Sequence, residues 1–173
     1  MKRIILFFLL FSQPEIYGQN EFAASAFYID FNKIYADAQN GFVNYKGAKL
    51  NSEFEELAVE YKVKLLLPLA DSGKIIFPVS ENRPFVVYYF EPSQVRLKVD
   101  QRAVNLRDAV LIAFDKTLYS RTETTIINNH PITNSYYFTK PDETRSGLAE
   151  FRINIYFNDG KYNLAFEIRG KNQ

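Results

Sequence analysis

The chain has no cysteine and no tryptophan, one histidine, one methionine and 7 glycines among 173 residues. Without cysteine there is no disulfide, no thiolate metal ligand, no cysteine nucleophile and no lipid-modified cysteine of the bacterial lipoprotein kind. A chain of this length can build a core without disulfides, so their absence is neutral about compartment. The single histidine, His130, stands in Asn128-Asn129-His130-Pro131. A metal site would want further His or spaced acids converging on it, and the neighbours of His130 read as a turn instead. The glycines are scattered and form no phosphate-cradling loop. There is no Gly-x-Ser-x-Gly elbow, and nothing in the spacing of Ser135, His130 and Asp142 joins them into a triad. The expectation is a protein that is not an enzyme, with no catalytic residue, no metal and no cofactor.

Charge of one sign is missing as well. Lys and Arg number 21 against 20 Asp and Glu, and no block of like charge occurs. Electrostatic steering toward nucleic acid or an anionic membrane therefore has no visible basis. Glu53, Glu55, Glu56 and Glu60 cluster, but they read as a solvated loop and the outward side of a strand carrying Lys62 and Lys64. Nothing there would raise a carboxyl pKa for acid-base work.

No apolar run is long enough to cross a bilayer. Ile4–Phe11 is the unbroken one, and it follows Lys2 and Arg3 and precedes a more polar stretch, Ser12–Gly18. That order is the pattern of a cleaved export signal, residues 1–18, with cleavage before Gln19. The mature chain, 19–173, is expected to be one α+β domain, periplasmic or secreted, without a membrane span. Removal of Lys2, Arg3 and Glu15 leaves 19 basic and 19 acidic residues of the original 21 and 20, a formal charge of zero.

What the chain does have is aromatic residues, 16 Phe and 12 Tyr, and strong alternation. Phe151–Arg169 reads as a β-hairpin about Asp159-Gly160, a pair suited to the positive φ angles of a tight two-residue turn. This turn sets Asn158 against Lys161, Phe157 against Tyr162, Ile155 against Leu164, Ile153 against Phe166 and Phe151 against Ile168. One face is then apolar; the other carries Arg152, Asn154, Tyr156 and Glu167, and Glu167 is expected there to tolerate Ala. A slip of one residue would turn the apolar set to water.

Ahead of the hairpin, Ala23–Tyr45 shows helical spacing in Phe27, Phe31, Ile34, Tyr35, Ala38 and Phe42. The pattern continues through Phe42, so the helix is expected to pass Gly41 and end near Lys46-Gly47. Leu57–Leu67 alternates as a half-buried strand, followed by strands over Lys74–Val79 and Phe85–Phe90. Gln94–Val104 is ambiguous and leans to a strand through Val95, Leu97 and Val99. Asn105–Ser120 is expected to be the second helix, N-capped by Asn105, with Ile112 off its apolar stripe and buried on a second side. Residues 121–150 are too long for a plain connection. Within them Thr124–Ile127 and Ile132–Phe138 could form an accessory hairpin. Tyr-Tyr-Phe occurs at 88–90 and at 136–138, too little to establish a repeat.

The predicted fold class is α+β: a single antiparallel sheet of about five strands with two helices, in the order α-β-β-β-α-β-β. This order resembles the fold of type III secretion chaperones and similar α+β modules. Gly41-Phe42 and Lys46-Gly47 after the first helix also resemble small exported bacterial proteins of unknown function. The resemblance implies a fold rather than an activity, and a cytosolic chaperone's role does not follow for an exported chain. The aromatic excess points to binding, since tyrosine buries area while keeping a polar tip. The expected role is a non-enzymatic binding or adaptor module for a protein partner in the envelope. The partner-binding residues would be Tyr136, Tyr137, Phe138 and Tyr156. The alternative is an enzyme or carbohydrate-binding protein whose site the sequence does not reveal.

Overall fold

Asp159 and Gly160 both lie in the left-handed region, at φ 50° and 75°. They close a two-residue turn between β7 (Phe151–Asn158) and β8 (Lys161–Arg169), with Asn158 against Lys161 and Phe151 against Ile168. The register is the one the alternation requires. In the computed structural model, which describes residues 20–52, 55–81, 83–114, 116–140 and 149–171, this hairpin sits inside an antiparallel sheet of eight strands rather than about five. The expected signal segment, 1–18, lies outside the described residues.

The remaining elements are α1 (Ser25–Gln39), β1 (Lys46–Lys49), β2 (Ala58–Val63), β3 (Ala70–Pro78), β4 (Phe85–Ser93), α2 (Arg96–Phe114), β5 (Tyr119–Ile127) and β6 (His130–Phe138). The strand order is β1-β2-β3-β4-β8-β7-β6-β5. The chain thus runs a helix followed by a four-strand meander, twice. The two meanders join through β4 and β8, which pair antiparallel from Phe85 opposite Arg169 to Phe90 opposite Leu164. Sequential meanders have low-cost hairpin connections, and an antiparallel seam between their last strands relates the halves by a pseudo-two-fold axis. The two Tyr-Tyr-Phe triplets fall on β4 and β6, which are not equivalent strands in this arrangement.

Both helices cover one face of the sheet. Val86, Tyr88 and Phe90 of β4, Leu164, Phe166 and Ile168 of β8, and Phe151, Ile153 and Ile155 of β7 form the sheet side of the core. Phe27, Phe31 and Tyr35 stack along α1 at one-turn spacing, with centroids 6.0 and 6.2 Å apart, and Phe31 meets Phe151 and Phe166 of the sheet. Tyr88 reaches through the core to donate its hydroxyl to the Leu65 carbonyl, at 2.9 Å. Such a partner is what a buried tyrosine requires.

Four expectations about the elements are corrected. The first helix ends at Gln39 instead of passing Gly41, because Gly41 and Phe42 turn left-handed, at φ 73° and 59°. Buried Asp37 fixes that turn by accepting from the backbone N–H of Asn44 and Tyr45, each at 2.9 Å, and from the Asn44 side chain at 2.8 Å. The chain beyond it pairs as β1, so Lys46-Gly47 opens a strand instead of capping a helix. Second, Gln94–Val104 is helical from Arg96, and Asn105 lies mid-helix rather than at an N-cap. Val99 and Leu106 face the core, and the alternation of Val95, Leu97 and Val99 puts Leu97 outside. Third, Ile112 is exposed rather than buried on a second side. Leu97, Val104 and Leu111 are exposed on α2 as well, on a side they share with Gln101 and Asp108. Fourth, the accessory hairpin belongs to the main sheet: β6 pairs β7 from Thr133 opposite Ile155 to Tyr137 opposite Phe151, and β5 pairs β6 along nine residues.

Candidate functional site: the open face and free edge of the sheet

The strands send alternate side chains to the face that, among the described residues, carries no helix. At its centre stands Glu167, 3% exposed. It lies opposite Arg152 on β7 and Val87 on β4. Arg152 donates to its Oε1 from Nε at 2.9 Å and from Nη2 as well, and Asn154 donates to the same oxygen at 3.1 Å. Arg169 approaches Oε2 at 3.6 Å and stacks its guanidinium over the Phe85 ring, 5.2 Å from the centroid. The expectation that Glu167 tolerates Ala is therefore corrected. Alternation put it on the polar face, but two arginines from the same face close over it. The signal lay in the register: the hairpin pairing already sets Glu167 across from Arg152.

Tyr89 lies beside this cluster, in the neighbourhood of Tyr156, Glu60 and Glu167. Burial, and then those three groups, push its hydroxyl up to about 12. Glu60 itself pairs with Lys74 at 2.8 Å, and Glu55 with Lys49 at 3.1 Å; Glu53 lies outside the described residues.

The four residues named from sequence separate by strand parity. Tyr136 and Phe138 point to the open face, where they pack with Ala149 as a small cluster of their own, at 6% and 3% exposure. Tyr137 points the other way into the main core, at 7% exposure, and burial raises its pKa. Tyr156 is half-buried on the open face opposite Asn163. Three of the four are thus core residues in this fold, and Tyr156 is the one with accessible surface.

His130 lies at the start of β6, with its ring stacked on Phe157 at 3.5 Å and 12° and Nδ1 3.4 Å from the Tyr162 hydroxyl. Arg96 braces the same corner by donating to the Pro131 carbonyl at 2.6 Å and to Thr133 Oγ1 at 3.0 Å. Among the described residues no group of three His, Asp or Glu could hold a metal, and no helix is long and apolar enough to cross a membrane. A groove of about 170 Å³ runs between α2 and strands β6 and β7, where Asp100, Arg107, Thr133, Ser135 and Tyr137 meet.

The feature sequence reasoning passed over is the pair of sheet edges. They occupy equivalent places in the two halves and differ sharply. β1 has four residues, a lysine at each end, and an irregular register against β2 between Lys46 and Lys49. Short length, lysine and irregularity are how edges are protected from further pairing. β5 has nine residues in unbroken register, without proline or lysine, and every one except Arg121 is exposed. Asn128 and Asn129, at φ 51° and 64°, close its turn to β6, so the flanking pair Ile127 and His130 is a hydrogen-bonded one. Pairs then alternate. Glu123 and Arg121 spend their backbone groups on β6, and Ser120, Thr122, Thr124 and Ile126 aim theirs outward. The side chains of Thr122 and Thr124 meet Ser135 and Thr133 at 3.1 and 3.3 Å on the helix side. Arg121 and Glu123 pair with each other at 3.0 Å on the open face, where Arg121 covers the Tyr136 ring.

Comparison of the chain with protein families, with curated proteins and with solved structures finds no match.

Proposed function

We propose that the chain is a non-enzymatic binding module of the bacterial envelope, exported by its N-terminal segment, that takes a protein partner by strand addition at β5. The carrying observation is an edge that no strand covers among the described residues: nine residues in regular register, exposed, with four sets of outward backbone donors and acceptors and none of the protection β1 has. An extended segment laid along such an edge gains main-chain hydrogen bonds, and side chains on the two faces supply selectivity. Here those faces are the hydroxyls of Ser120, Thr122 and Thr124 and the Arg121–Glu123 pair. Tyr156 and the rim of the open face would add contacts farther in.

The alternative, an enzyme or a carbohydrate-binding protein, would be favoured by the groove between α2 and β6–β7. Its volume of about 170 Å³ falls below the roughly 300–1,000 Å³ usual for small-molecule sites, which weighs toward the protein-binding reading.

Thr122→Pro tests it. The N–H removed points away from the sheet, so the β5–β6 ladder is kept while strand addition is blocked. Pull-down from envelope extract is expected to lose its partner with this variant, once far-ultraviolet circular dichroism has confirmed the fold. A folded variant that retains every partner of the unmodified protein places the site elsewhere.

A further inference from the structure

We infer that the strand added at β5 comes from a second copy of this chain, the two β5 strands pairing antiparallel about a two-fold axis at Thr122. The inference rests on the edge-binding reading above and names its partner.

Three observations carry it. The first is charge. Strand pairing across a two-fold axis perpendicular to the sheet sets residues of the same parity opposite each other. With Thr122 on the axis, Ser120 faces Thr124 and Tyr119 faces Thr125. Arg121 then faces Glu123 of the second copy, and Glu123 faces Arg121 of the second copy. The ion pair that each strand now makes internally, at 3.0 Å, is replaced by two cross-strand pairs, the arrangement that stabilises antiparallel neighbours. The second observation is that the adjacent registers are penalised. Moving the axis to Glu123 sets two glutamates against each other, and moving it to Arg121 sets two arginines against each other. Charge therefore both selects the register and guards against slippage, which a flat edge of small residues would otherwise permit. The third is the pattern of backbone groups. Thr122 is one of the residues whose N–H and C=O point outward, so the central pair is a hydrogen-bonded one, and Ser120 and Thr124 supply the next on either side.

The side chains allow the approach. On the helix side the pairing strands present Ser120, Thr122 and Thr124, which are small. On the other side stand the charged pair and, at the ends of the paired span, Tyr119, itself exposed and set opposite the small Thr125. Residues 19–173 carry equal numbers of acidic and basic groups, so no net repulsion opposes two copies meeting. The result is an isologous, closed pairing. It hides both of the long edges that would otherwise invite open-ended association.

Sedimentation equilibrium of the purified protein is expected to give the mass of two chains. Glu123→Arg sets arginine against Arg121 of the second copy and should weaken the pairing about tenfold or more. The double variant Arg121→Glu with Glu123→Arg exchanges the charges and should restore it. Amide exchange at Ser120, Thr122 and Thr124 should be slow in the unmodified protein and fast in the single variant. A two-chain species indifferent to the single substitution overturns the inference, because the copies then meet elsewhere. A single-chain species at every concentration overturns it as well, and amide exchange then separates the two readings. Fast exchange leaves the edge free for another protein, whereas slow exchange means the chain covers its own edge, and the reading of β5 as a docking site falls too.

Discussion

At the scale of single residues, the face a side chain occupies does not decide whether it is solvated. Glu167 is on the face that no described helix covers, yet at 3% exposure it is as buried as a core residue, because Arg152 and Arg169 lie over it. Removing one member of such a buried set leaves uncompensated charge, at a cost on the order of 3 kcal/mol. Glu167→Ala should therefore unfold at clearly lower urea, comparable with Phe166→Ala, which removes a fully buried ring at about 3–5 kcal/mol. A Glu167→Ala protein as stable as the original would mean that the arginines are adequately solvated without it.

The tyrosines carry a pH signature. Burial raises the hydroxyl pKa of Tyr35 and of Tyr89 to about 12 from the ordinary 10.0, and raises that of Tyr88 as well. A group whose folded pKa is raised keeps its proton in the fold while the unfolded chain gives it up. The stability contributed is whole below pH 10 and is lost as pH climbs through 12. Ultraviolet titration should show Tyr35, Tyr88 and Tyr89 ionising only as the protein unfolds. A single transition for all of them at 10 would contradict the burial described.

At the scale of elements, the β7–β8 hairpin depends on backbone conformation at its turn. A Cβ on Gly160 would meet no atom within 4 Å, yet its φ is 75°. Gly160→Ala should thus destabilise through conformation alone, by about 1 kcal/mol. Gly73 is the opposite case. A Cβ there would come within 2.9 Å of both Tyr88 and Val63, so Gly73→Ala forces core side chains to shift and should cost more than Gly160→Ala. Thermal melts of the two variants rank the effects; equal midpoints would refute the distinction between conformation and crowding.

At the scale of the whole molecule, two helix-plus-meander halves share a seam at β4 and β8. Residues of both halves contribute to one core, in which Phe31 and Tyr35 of the first half pack on Phe151 of the second. A half alone would expose that surface and a long strand edge. Co-expressed fragments 20–94 and 95–171 are expected to assemble with native-like circular dichroism, and each alone to aggregate or remain unfolded. A soluble, cooperatively melting single fragment would show that each half has a sufficient core.

The sequence by itself determined what local chemistry can specify. Asp159-Gly160 and strict alternation set the register of the last hairpin, and the three-and-four spacing of Phe27, Phe31 and Ile34 chose the buried side of α1. Both signals lie within a turn or a few residues, so no distant partner was needed to read them. The tertiary structure decided the rest. Gln94–Val104 alternates like a strand but is helical, because the core side of α2 wants Val99 and Leu106 and leaves Leu97 to solvent. The strand content of residues 119–138 was partly legible, but joining the main sheet depended on β7 offering an edge. The burial of Glu167 depended on Arg152 and Arg169 closing over it. The candidate site was the least legible part. Tyr136, Tyr137 and Phe138 stand out in the sequence, yet sheet pairing and packing consume them. β5 stands out only once neighbours are known, since an edge is defined by the partner strand it lacks.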